Sequence, residues 1–156
     1  MPNVKRPSKQ GCSSAADQAD YMSTNCIDVV GCVLVRDDQI LCAKRSQAGQ
    51  LPGLWEFPGG KIEANESPSV ALVREIHEEL DCTVEVRGLI NIATHDYDFV
   101  KISLTTFYCI LLSGTPTPRE HESLTWLPPR DLLLLDWAPA DLPAVHQVRL
   151  DFGYGK

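Results

Sequence analysis

Residues 59–82 read Gly59-Gly60-Lys61-Ile62-Glu63-Ala64-Asn65-Glu66-Ser67-Pro68-Ser69-Val70-Ala71-Leu72-Val73-Arg74-Glu75-Ile76-His77-Glu78-Glu79-Leu80-Asp81-Cys82. A glycine-bent loop passes here into an amphipathic helix. Ser67 suits the N-cap, and Pro68 suits the first helical position, where a missing N–H costs nothing. Val70, Val73, Ile76 and Leu80 recur at helical spacing and are expected to face the core. Glu75, Glu78 and Glu79 stand at i, i+3 and i+4, so they share another face. Three like charges so close repel one another and do nothing for helix stability. They do suit a hard cation, since Mg²⁺ takes oxygen ligands from carboxylates, waters and substrate phosphates. The competing reading is a solvated acidic face.

The pattern Gly60, Glu66 and Arg74-Glu75-Ile76-x-Glu78-Glu79 resembles the signature of the Nudix hydrolases. The one departure is Asp81, where that family usually has Gly. Such a Gly sits just past the helix end, often in the left-handed region, which Asp tolerates at some cost. The resemblance implies a mixed sheet between helices, a Nudix-type α/β/α sandwich. It runs weakly from about Ile27 to Leu150.

Working outward, the chain divides into a Ser-, Ala-, Gln- and Asp-rich stretch at 1–24, expected to be a disordered leader, one domain over 25–152, and a frayed tail at 153–156. Whether Met22 is the natural start stays open. Ile27–Val35 and Ile40–Arg45 read as a strand hairpin across Arg36-Asp37-Asp38-Gln39. Leu54–Phe57 is a short strand leading into Pro58-Gly59-Gly60. For Gly59-Gly60, a plain turn competes with a backbone that must approach a metal and phosphate closely, and the second is preferred. Beyond the helix, Cys82–Ala93, Lys101–Leu112 and Leu124–Leu127 read as strands. Pro128–Leu132 is expected to open a short helix, and a last helix carries Leu142, Val145, Val148 and Leu150. Strands on both sides of one long helix, with a helix at the end, make a mixed α/β fold.

The composition is that of an ordinary globular chain, with 44% hydrophobic and 22% charged residues. A net charge of -7 argues against a nucleic-acid groove, which needs a Lys/Arg footprint. No apolar run approaches membrane-spanning length. The six cysteines form no C-x-x-C pair and read as small buried hydrophobes in a reducing cytoplasm. Monomer and homodimer both remain open.

Metal-assisted attack of water on a polyphosphate needs cations against the phosphate charge, a group that orients or deprotonates water, and a grip on the leaving group. The resemblance assigns Glu75, Glu78 and Glu79, with the carbonyl of Gly59, as Mg²⁺ or Mn²⁺ ligands. Arg74 is expected to orient a neighbouring carboxylate through a bidentate pair, with Glu66 tying the loop to the helix and Gly60 supporting it. In MutT-like relatives a glutamate before a later strand reaches the metal. By that match Glu120 is the expected base and a further ligand, and Glu79 is its rival. His121 and Glu122 read as solvated loop residues. Arg45 and Lys61 match basic positions of the family and are phosphate candidates.

The MutT-like branch is suggested by Leu54-Trp55-Glu56-Phe57-Pro58-Gly59-Gly60-Lys61 and by Trp137-Ala138-Pro139-Ala140-Asp141-Leu142-Pro143. The resemblance places Asp141 at the nucleobase. An ionised carboxylate only accepts hydrogen bonds, so it suits the cytosine amino group. The competing role for Asp141 is a favourable charge in the first turn of the last helix. Trp55, Tyr97, Phe99 and Phe107 can stack on a base or fill the core. The expected activity is a (d)NTP pyrophosphohydrolase that releases nucleoside monophosphate and pyrophosphate, favours cytosine or modified bases, and cleanses the nucleotide pool. The alternatives are a MutT-type 8-oxo-dGTP diphosphatase, a hydrolase of nucleotide sugars or ADP-ribose, and a non-catalytic nucleotide-binding regulator.

Overall fold

Alternation along one strand separates the two halves of the core. In the computed structural model, which describes residues 26–155, strand β1 (Cys26–Arg36) runs through the middle of the sheet. The expected leader at 1–24 lies outside the described residues. Val30, Cys32 and Leu34 point to one face and Val33 to the other, the period of two that a strand imposes. Asp37 and Asp38 take φ of 53° and 61°, the left-handed pair a tight hairpin turn needs. The turn feeds β2 (Gln39–Lys44), paired Val35 to Ile40. β3 (Trp55–Glu56) lies against β2, and β4 (Gly59–Lys61) lies antiparallel to β1.

Helix α1 (Pro68–Leu80) follows, then β5 (Cys82–Asp96) and β6 (Lys101–Gly114), a long antiparallel pair. β6 is parallel to β1, from Cys26 opposite Lys101 to Leu34 opposite Cys109. β7 (Ser123–Leu127) pairs with β2. Two 3-10 turns, Pro129–Leu134 and Pro139–Asp141, lead into α2 (Leu142–Asp151). The sheet order is β3-β2-β1-β6-β5, with β4 on β1 and β7 on β2. α1 covers one face through Leu72, Ile76 and Leu80, and α2 packs on the other with Trp137, Val145 and Val148. This is the mixed α/β sandwich expected.

Three expectations need correction. On α1, Val70 is 57% exposed and Val73 only partly buried, while Ala71 and Leu72 are fully buried. At 3.6 residues per turn Val70 lies about 120° around from Ile76, outside the Leu72–Ile76–Leu80 row. The buried arc extends the other way, through Glu79, so the carboxylate side of the helix faces inward. On α2, Leu150 is exposed, and Ala144, Val145 and Val148 form the packed face. Cys32, Cys42, Cys82 and Cys109 are buried thiols as expected, but Cys26 is disulfide-bonded. Among the described residues no helix is long and apolar enough to cross a membrane.

Candidate active site

Helix α1 is fixed at both ends. Ser67 Oγ accepts from the Val70 N–H at 3.2 Å. Asp81 takes the left-handed conformation (φ 57°, ψ 42°) and its N–H donates to His77 O. Between these caps Arg74 gathers four acidic or carbonyl groups. Its Nε donates to Glu66 Oε2 at 2.6 Å and its NH2 to Glu66 Oε1 at 2.9 Å, a bidentate pair. NH1 reaches Glu75 Oε2 at 3.0 Å and Glu78 Oε1 at 3.3 Å, and NH2 also donates to Lys61 O. Glu66 Oε1 accepts in addition from the Glu63 N–H, so this carboxylate joins loop and helix. The Arg74 hydrogen bonds hold the Glu66 carboxyl down at about 2. Arg74 is thus consumed in orienting carboxylates.

Gly59 and Gly60 form a strand rather than a plain turn. A Cβ on Gly59 would sit 1.8 Å from Val30 O, so only glycine fits between β4 and β1. A Cβ on Gly60 would meet the Glu75 carboxyl at 2.3–2.7 Å. The missing side chain makes room for that carboxylate.

Glu79 lies on the inward side of α1, 9% exposed. Its Oε1 is buried with no hydrogen-bond partner among the described residues. Burial, and then the charges of Glu56, Glu75 and Glu120, push its carboxyl up to about 9. Burial likewise raises Glu75, with Glu78 and Glu120 adding to the effect and Arg74 opposing it. Glu120 itself is exposed and lines the same cavity. Among the described residues no three His, Cys, Asp or Glu side chains are already drawn into a cation-holding cluster. The donor set nonetheless fits a hard cation: several carboxylates repel one another around a buried oxygen that lacks a partner.

The other end of the cavity holds residues that sequence reasoning used little or misread. Glu56 Oε1 accepts from Arg45 NH1 at 2.7 Å, and Glu56 Oε2 lies 2.8 Å from His121 Nε2. Arg45 Nε also donates to Gln50 O. The His121 side chain is only 5% exposed, which overturns its reading as a solvated loop residue. Glu122 is exposed, as expected, and meets Lys44 and Gln47. Asp141 is buried and accepts from the Phe57 N–H through Oδ1 at 3.0 Å. Asp141 occupies the N-cap position of α2, as the competing reading expects, but its side chain makes no capping hydrogen bond there. Burial first, and the Glu56 charge second, push the Asp141 carboxyl well up.

The Tyr97 hydroxyl accepts from the Ala140 N–H at 2.8 Å and thereby ties the β5–β6 turn to the Asp141 segment. Phe99 stacks on Tyr97 at 5.2 Å, and both line the cavity. Trp55 and Phe107 pack against the two core clusters instead.

Glu79 and Glu120, Lys61 and Arg45, and Asp141 therefore border one cavity of about 620 Å³. Its lining combines the carboxylates Glu79 and Glu120, the cations Lys61 and Arg45, and the buried Asp141 with the aromatic rings of Tyr97 and Phe99. Such an arrangement can seat an anionic chain and a flat heterocycle together. Of the predicted residues, Glu66, Arg74, Glu75 and Glu78 do not line this cavity, and they are joined to one another through the Arg74 guanidinium.

Residues 27–148 match the family described as the NUDIX domain. The chain is similar to the CTP pyrophosphohydrolase of Escherichia coli (strain K12), 38% identical over 120 residues, 77% of this chain and 89% of that protein. It is equally similar to the putative 8-oxo-dGTP diphosphatase 2 of Mycobacterium tuberculosis (strain ATCC 25618 / H37Rv), 38% identical over 117 residues, 72% of this chain and 81% of that one. In three dimensions it resembles the E. coli ORF135 protein, with a TM-score of 0.74 at 33% identity, covering 86% of this chain and 96% of the other.

Proposed function

Because the chain belongs to the Nudix family and is a hydrolase of phosphoanhydride bonds, we propose that it converts a nucleoside triphosphate to nucleoside monophosphate and pyrophosphate, favouring cytosine or modified-base nucleotides and so cleansing the nucleotide pool. One observation carries this reading: a buried carboxylate with an unpartnered oxygen, among other acids, shares a cavity with a buried acid set beside aromatic surface.

Glu75, Glu78, Glu79, Glu120 and the Gly59 carbonyl would hold Mg²⁺ or Mn²⁺. Bound there, the cation offsets triphosphate charge and makes water more acidic. Arg74 holds Glu75 and Glu78 together through its NH1 group. Glu120, open to the cavity, orients the attacking water and takes its proton, with Glu79 as the rival for that role. Lys61 contacts the phosphates, and Arg45 does so as the positive member of its pair with Glu56.

At the base end, Asp141 Oδ1 already accepts from the Phe57 N–H, and we assign Oδ2 to the ligand. Ionised, that oxygen accepts from the cytosine amino group; protonated, it donates to a carbonyl acceptor such as guanine O6. The raised Asp141 carboxyl therefore also supports a second reading, an oxidised guanine nucleotide, which relatives bearing the 8-oxo-dGTP diphosphatase name favour.

The deciding experiment is pyrophosphate release with Mg²⁺ across dCTP, 5-methyl-dCTP, 5-hydroxy-dCTP, dGTP, 8-oxo-dGTP, dATP, dTTP and ADP-ribose. Asp141→Asn is run beside wild type. Cytosine nucleotides leading, with the lead eroded in Asp141→Asn, bear out the reading. An 8-oxo-dGTP lead that the variant leaves untouched refutes the cytosine assignment.

A further inference from the structure

We propose that His121 is a positioning residue for the reaction, holding Glu56 between the two ends of the cavity and anchoring the loop that presents Glu120. The inference rests on the proposed nucleotide hydrolysis and extends it to a cavity-lining residue whose ring is engaged with Glu56.

Position is the first argument. His121 belongs to the connection between β6 and β7, and its neighbours Glu120 and Glu122 are both exposed. Yet its own side chain is 5% exposed. A loop histidine that turns inward between two outward-facing glutamates fixes where those glutamates go. The Glu122 N–H donates to Lys44 O at 2.8 Å, so the backbone beside His121 is seated on the end of β2. Glu120 follows from that seat.

The second argument is the grip on Glu56. One carboxylate oxygen is held by Arg45 at 2.7 Å and the other by His121 at 2.8 Å. With a partner on each oxygen the carboxylate cannot rotate freely. β3 sets Glu56 opposite Ala43 on β2, and the next residue, Phe57, donates its N–H to Asp141. Glu56 is thus the acid between the Glu79 end and the Asp141 end, and His121 fixes its plane.

The third argument is cost. His121 Nδ1 is buried and lacks a hydrogen-bond partner among the described residues. An unsatisfied buried polar atom is destabilising, and an apolar side chain of similar size avoids it. A residue that packs at a penalty and bonds an active-site carboxylate is better explained by positioning than by stability.

The test uses His121→Leu, His121→Gln, Glu56→Gln and the Glu56→Gln/His121→Leu double variant of the full chain. Melting temperature, steady-state kinetics on the best nucleoside triphosphate, and the Kd of a non-hydrolysable analogue of it are measured for each. Losing a hydrogen bond to a charged partner predicts a fall in kcat/KM of about tenfold or more in His121→Leu, with the melting temperature kept. His121→Gln, which keeps an N–H donor in reach of Glu56, recovers most of that loss. The double variant is no worse than Glu56→Gln alone, because both changes break one contact.

Wild-type kinetics in His121→Leu overturn the proposal. So do losses that multiply in the double variant, or a fall in melting temperature that Gln does not repair. If wild type releases no pyrophosphate from any nucleotide, the proposed function has failed. The same variants are then scored on analogue Kd, where a weakening in His121→Leu that Gln repairs supports the positioning role and an unchanged Kd refutes it.

Discussion

Replacing Glu79 by Gln should make the metal-free protein more stable, and increasingly so as pH rises. Burial and neighbouring acids push this carboxyl from its ordinary 4.5 up to about 9. Between those values the folded chain keeps a proton that the unfolded chain has released. Stability therefore falls as pH rises across the window, by about 1.4 kcal/mol per pH unit, and levels off above it. At pH 7 the wild type has lost about 3 kcal/mol, the order of magnitude for two and a half units. Glutamine has the shape of the protonated acid and loses nothing with pH. Its amide is buried in the same place, so any constant penalty cancels when one pH is compared with another.

The assay is thermal or urea unfolding of both proteins in chelator from pH 5 to pH 8. The stability difference should widen by about 4 kcal/mol over that range, or roughly 8–16 °C in melting temperature for a chain of this size. Added Mg²⁺ should then stabilise wild type far more than the variant, because binding N but not U adds to stability and the variant lacks a ligand. A difference that stays flat with pH would refute the assignment of Glu79 as the buried, cation-seeking carboxylate.

Four further outcomes follow from the geometry. Glu78→Gln should abolish turnover and leave the melting temperature nearly unchanged, since its carboxylate is more than half exposed; wild-type turnover would remove it from the metal role. Gly60→Ala should cut kcat at least about tenfold with the fold intact, because the new methyl displaces the Glu75 carboxyl, a movable side-chain end. Gly59→Ala should instead destabilise by several kcal/mol, on the order of 3, since its methyl meets the Val30 carbonyl in the sheet; circular dichroism separates the two cases. Arg74→Lys should lower kcat/KM and weaken Mg²⁺ binding about tenfold or more, because a point charge cannot hold Glu66 and Glu75 together; retained metal affinity would count against Arg74 as the organiser.

The helix, its caps and its carboxylates were legible in the sequence because each is local. Ser67, Pro68 and Asp81 act within one turn of their own positions, and the spacing of Glu75, Glu78 and Glu79 follows from helical pitch alone. Legible too were the strands and their order along the chain, from hydrophobic runs and turn residues. The rotation of α1 was not. Val70 and Leu72 have similar hydrophobicity, and only the sheet beneath decides which one is buried. The spacing puts the glutamates on a face apart from the core residues, whereas Glu79 turns inward, and that turn gives the site its buried oxygen.

The reading of His121 as solvated, and of Glu56 as no more than part of a strand, has a related cause. Their meaning lies in a contact across 65 positions of sequence, which no motif encodes. A buried loop histidine and a solvated one look the same in a single chain. Glu56 stood in plain view inside the quoted Leu54–Lys61 run, but its two partners arrive from β2's end and from the loop before β7. The same contact changes how Asp141 is understood. An acid read from sequence is an ionised acceptor. Burial first, and the Glu56 charge second, raise its carboxyl, so on the proposed function the proton it carries enters base recognition. On the proposed function, base choice then depends on the charge state of Asp141, which the neighbouring Glu56 charge helps to set. Substituting Glu56 should accordingly move the pH dependence of base preference as well as the rate. A preference that shifts with Asp141→Asn but stays fixed with Glu56→Gln would show the two acids to be independent.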